Sequence, residues 1–88
     1  MINLTIEKVE SKNDFILSLY KVYYEKSNVI IAEIKKYKSN NKINFIYSLD
    51  IPNNFFGKNK RFMEVSKRKS LLGAKNSIAK AIKKIKNK

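Results

Sequence analysis

Eighty-eight residues make one domain with one modest core, marginal by itself, so a homodimer is expected. The absence of cysteine and histidine excludes a disulfide framework, a thiolate metal site and the commonest neutral-pH acid–base group. The formal charge of +13 predicts a polyanion partner: nucleic acid, an anionic membrane or an acidic protein surface.

In INLTIEKV at 2–9, Ile2, Leu4 and Ile6 alternate with Asn3, Thr5 and Glu7, and this period of two predicts a strand. ESKND at 10–14 is a turn cluster. FILSLYKVYY at 15–24 reads two ways. As a strand it puts Phe15, Leu17, Leu19 and Tyr23 on one face; as a helix capped by Asp14 it aligns Phe15, Leu19, Val22 and Tyr23. The strand is favoured because EKSN at 25–28 has the length of a hairpin loop.

VIIAEIKKY at 29–37 places Ile30, Ala32 and Ile34 on one side, and KSNNK follows as an Asn-rich turn that tolerates the left-handed conformation. INFIYSLDI at 43–51 is the cleanest alternation, and Pro52 ends it because proline cannot donate to a ladder. NNFFGKNK at 53–60 is a loop, and RFMEV at 61–65 is a short fifth strand. From Ser70 to Lys86 the period becomes helical, with Leu71, Ala74, Ile78, Ile82 and Ile85 in one stripe, supported by Leu72 and Ala81. Gly73 weakens the first turn by about 1 kcal/mol relative to alanine. The expected fold is α+β: an antiparallel sheet of four to five strands with a C-terminal amphipathic helix packed on it, in a single small basic domain over 1–88.

Charge is unevenly placed. Residues 1–57 carry eight lysines and six acids; residues 58–88 carry twelve Lys or Arg and only Glu64. Lys, Ile and Asn dominate the composition, as an AT-rich genome would favour, but that bias does not remove acids from one end of the chain. No apolar run reaches the ~20 residues that span a bilayer. The N-terminus lacks the apolar core of a signal peptide, so a soluble, cytoplasmic protein is expected.

Catalysis is not expected. None of the seven acids forms an EF-hand loop or other close metal-binding group, and neither metal nor cofactor is implied. Asp50 and Glu64 lie near the basic region, but the Glu-x-Lys of a nuclease site is absent, since Val65 and Ser66 follow Glu64. Two glycines, Gly57 and Gly73, make no phosphate-binding loop.

A binding surface remains. FFGKNKR at 55–61 sets Phe55 and Phe56 beside Lys58, Lys60 and Arg61, a combination that stacks on bases and pairs with a phosphate backbone. The structural alternative folds one or both phenylalanines into the core or a dimer interface. SKRKS at 66–70 puts Lys67, Arg68 and Lys69 before a helix N-terminus, which prefers anions, so a phosphate there would resolve the misfit. The structural alternative is a solvated loop. Lys80, Lys83 and Lys84 lie away from the apolar stripe and Lys75 flanks it; lysines in the last turn also suit the helix dipole. An amphipathic basic helix suits an anionic membrane too, but this one lacks Trp and Phe, and its stripe is what the sheet needs for cover.

LTIEKVESKN at 4–13, FIYSLDIPNN at 45–54 and KNKRFMEVS at 58–66 together resemble the SpoVG (septation protein) family of bacteria, end to end along the chain. That resemblance implies an antiparallel sheet followed by C-terminal helix, a dimer, and binding of DNA or RNA. Asp50 and Ile51 stand where the family carries Ala-Met before the proline, and the family's His-Pro is absent. SLLGAKNSIAKA at 70–81 is similar to the last helix of double-stranded RNA-binding domains, with Leu71 and Leu72 replacing their lysine pair. The reading of the whole chain is a non-enzymatic nucleic-acid-binding protein whose loop 53–61, segment 66–70 and helix contact phosphates. A different class fits the same size and composition: a phage or mobile-element protein, such as an anti-CRISPR, whose basic face occupies an acidic host protein surface.

Overall fold

A computed structural model describes residues 3–11 and 14–87. Ile2, the middle of the 10–14 turn and Lys88 lie outside the described residues. Five strands, β1 (Leu4–Val9), β2 (Ile16–Tyr24), β3 (Ile30–Ser39), β4 (Lys42–Ile51) and β5 (Phe62–Arg68), form one antiparallel sheet in chain order. The helix α1 (Leu71–Lys86) packs on one face of it. The molecule is therefore α+β, and residues 16–24 are strand rather than helix.

Register decides which side chains the helix covers. Tyr47 lies opposite Ile34 on one side and Ser66 on the other, and Leu49 lies opposite Ala32 and Glu64. With side chains alternating across a strand, Val22, Ala32, Ile34, Phe45, Tyr47, Leu49 and Ile51 share the helix face. They meet Ala74, Ile78, Ile82 and Ile85 of the expected stripe, all buried, while Leu71 is half-buried and the supporting Leu72 is exposed. Among the described residues no element covers the opposite face of the sheet.

Two expectations change. Ile31, not Ile30, joins the core, because a bulge lets Tyr23 pair with Ile30 while Val22 pairs with Ala32. The inserted residue turns Ile31 inward and leaves Ile30 39% exposed. β5 also runs on through Ser66, Lys67 and Arg68 instead of stopping at Val65. Its pairing with β4 extends to Phe45↔Arg68, a partner that local periodicity does not show.

Helix α1 starts at a true cap. The Ser70 hydroxyl accepts a hydrogen bond from the Gly73 backbone N–H at 2.9 Å. A Cβ on residue 73 would stand 3.0 Å from that same Ser70 oxygen. Glycine's propensity cost in the first turn thus leaves room for the cap.

Candidate nucleic-acid interface

The β3–β4 hairpin turns through Asn40 and Asn41 with φ of 51° and 63°, the left-handed pair of a type I′ turn. That turn fixes Ser39 opposite Lys42 and Tyr37 opposite Asn44. Next to it, β4 pairs Ile46 with Lys67. Tyr37, Asn44 and Lys67 therefore share the open face, and Lys69 follows on the turn to α1. Together with Lys42 they border a notch of about 410 Å³ that contains no acidic side chain.

Arg68 also borders this notch, but its guanidinium works on the helix side. Its Nε donates to Ser77 Oγ at 2.8 Å, its terminal nitrogen donates to Ser66 Oγ at 2.6 Å, and it lies 5.5 Å from the Tyr47 ring centroid. Arg68 ties β5 to α1. Lys67 and Lys69, both exposed, carry the free charge of the 66–70 segment. Only Lys69 adjoins the helix start, so the cluster expected before the helix N-terminus is a strand end plus one turn residue.

The 53–61 loop lies at the other end of β5, about 20 Å away for seven extended residues. Segments read as neighbours are thus two separate basic clusters. Phe55 and Phe56 are half-buried and pack edge-on to each other and to Tyr24, with centroids 4.9–5.6 Å apart. Lys86 closes this cluster: its ammonium donates to the Tyr24 hydroxyl at 2.8 Å, which raises the lysine pKa. Lys60 sits 5.8 Å from the Phe62 ring centroid, and Lys58 is half-buried within the loop. The loop's rings are engaged with the fold, so its remaining offer to a ligand is charge.

Arg61 is already neutralised by Asp50, through hydrogen bonds of 2.8 and 2.6 Å to the two carboxylate oxygens. The hydrogen bond from Arg61 holds the Asp50 carboxyl below its ordinary pKa. A depressed carboxylate contributes stability above its unfolded pKa and loses it as pH falls through the folded one. Both partners are exposed, so the contribution is small. Arg61→Ala is expected to return the Asp50 pKa upward, as read by a side-chain carboxyl NMR titration.

Asp50 and Glu64 do not converge. Asp50 pairs with Met63 on the open face, while Glu64 lies under the helix side and accepts from the Tyr47 hydroxyl at 3.2 Å. Burial, then the charge of Glu64, raises the Tyr47 pKa. Among the described residues no three acidic side chains gather as a metal site would require.

Along α1, Lys80, Lys83 and Lys84 are exposed on the outer side, and half-buried Lys75 flanks the stripe toward β1 and β2. The helix is about 24 Å long, and the lysines from Lys75 to Lys84 cover about 14 Å of it. No helix among the described residues is long and apolar enough to cross a membrane. No protein family, curated protein or solved structure matches the chain.

Missing from the sequence reading were Tyr37, Lys42 and Asn44. The KSNNK turn carried part of the signal, since a two-residue Asn-Asn turn fixes 37 opposite 44. The approach of β5 to β4 beside them had none.

Proposed function

We propose that the protein is a non-enzymatic nucleic-acid-binding protein whose contacts are chiefly to phosphates. The observation that carries this reading is the acid-free notch, where the β3–β4 turn and the end of β5 bring Lys42, Lys67 and Lys69 together from separate segments. The helix lysines add a second positive surface on the other side of the sheet. Phosphate contacts of this kind position a polyanion without reading its sequence. The SpoVG-like order of motifs supports the same partner.

A salt-titrated binding assay on single-stranded DNA, duplex DNA and double-stranded RNA tests it. With about five or six phosphates neutralised on duplex DNA, log K falls against log salt with a slope near −5. A slope near −1 on every nucleic acid would end the reading.

One observation favours the second reading, inhibition of a host protein by a phage or mobile-element protein. The open sheet face carries an apolar strip of Ile30, Met63 and Val65, the last two 67% and 69% exposed, beside a groove of about 730 Å³. Apolar surface rimmed by charge suits a protein partner. A stoichiometric partner that survives nuclease and high salt, and that Val65→Lys releases, would favour this reading over the first. Sedimentation of the isolated chain checks the expected homodimer.

A further inference from the structure

We propose that the notch seats one unpaired nucleotide, with its base on the Tyr37 ring and its flanking phosphates on Lys42, Lys67 and Lys69. The protein then prefers single-stranded nucleic acid to duplex. This rests on the nucleic-acid reading above and names the form of nucleic acid that the site takes.

Three observations converge on it. First, the notch combines three kinds of group that a nucleotide needs. Tyr37 offers an aromatic face, Asn44 a carboxamide for a base edge, and the lysines offer charge without a competing carboxylate. Its volume of about 410 Å³ suits a ligand the size of one nucleotide.

Second, these side chains are uncommitted. Tyr23, Tyr24 and Tyr47 have hydroxyl partners. Tyr24 and Tyr47 also have a ring or cation packed on their faces. Among the described residues no side-chain hydrogen bond, ion pair or ring contact occupies Tyr37, Lys42, Asn44, Lys67 or Lys69. Phe55 and Phe56 are the reverse case, their edges and faces being turned to each other and to Tyr24.

Third, strand pairing sets the platform's geometry. Tyr37 and Asn44 are cross-strand partners closed by the Asn40–Asn41 turn, and β5 fixes Lys67 one strand further on. A half-buried ring on a sheet surface can stack only on a base that has left its own stack. Duplex bases are covered by their neighbours, so Tyr37 discriminates where the lysines do not.

The test uses fluorescence anisotropy of the full chain with a labelled single-stranded oligonucleotide and with the same sequence as a duplex. The parent binds the single strand at least about tenfold more tightly at equal salt. Tyr37→Leu lowers single-strand affinity by about tenfold, leaves duplex affinity unchanged, and keeps the salt slope, because no charge is lost. Tyr37→Phe retains the affinity. Tyr37→Thr, another strand former, replaces Tyr37→Leu should that variant lose its fold by circular dichroism. Equal binding of both forms with a steep salt slope, or a Tyr37→Leu variant that binds the single strand like the parent, overturns the nucleotide seat but leaves the phosphate-binding reading standing. Binding of neither form overturns both.

Discussion

Replacing Ile78 with alanine is expected to lower the free energy of unfolding by about 2–5 kcal/mol. The effect is large because the polar ties of α1, at Ser70, Ser77 and Lys86, leave its docking to the apolar stripe. Ile78 is fully buried at the centre of the stripe, between Ala74 and Ile82, against the β3 and β4 side chains. At sixteen residues the helix is near the length at which isolated helices are marginal in water. Its lysines bring no acidic partners into its first turn. The apolar stripe is therefore what keeps it folded, and a cavity at its middle weakens both layers. Against a typical domain stability of about 5–15 kcal/mol, the loss is a substantial share. Urea denaturation reads it as a lower midpoint with the slope preserved. Leu72→Ala, at a position 66% exposed, is the control and stays within about 0.5 kcal/mol of the parent. If Ile78→Ala costs no more than Leu72→Ala, the helix is not docked through this stripe.

Changing Lys42, Lys67 and Lys69 together to alanine is expected to cost the largest share of nucleic-acid affinity. Each phosphate contact on a single strand contributes about −0.7 to the salt slope, so losing three flattens it by about 2. Affinity at low salt falls by about tenfold or more. Arg61→Ala, by contrast, leaves the slope where it was, because Asp50 already neutralises that guanidinium. Lys80→Ala with Lys84→Ala measures the helix row separately. Both sit on the outer side of α1, and Lys84, in the last turn, has a dipole role as well. A triple variant with the parent's slope would move the phosphate contacts away from the notch.

The order of elements was legible in the sequence because each strand carries its own alternation and its own turn. INFIYSLDI shows its buried face without help, and the stripe from Leu71 to Ile85 shows the helix. Legibility ended where one segment's structure depends on another. Ile31 replaces Ile30 in the core because of how β2 registers on β3. Ser66, Lys67 and Arg68 are strand because β4 offers them partners, although SKR has no alternation of apolar and polar residues to announce a strand. The same limit applies to the site. Lys67 and Lys69 could be picked from the charge run, but Tyr37, Lys42 and Asn44 are twenty or more residues earlier, and only the sheet brings them alongside. Phe55 and Phe56 illustrate the converse: adjacency to lysines suggested stacking on bases, while Tyr24, far off in the chain, occupies their edges.

The helix follows all five strands in chain order, so it is synthesised after the face it covers. All five strands have been made once Arg68 is added, yet the cover for their apolar face comes from residues 71–86. A copy whose helix has not yet docked shows Val22, Ile34, Tyr47 and Ile51 to its surroundings, with β1 and β5 as open edges. Lys36, Lys38 and Lys42 already surround one end of it, and Lys58 and Lys60 stand at the other. Mutual repulsion between such unfinished chains keeps them apart until each has closed its own sheet. Lys42, which the proposed function sets against a polyanion, thus belongs to a charge field that also keeps unfinished copies separate.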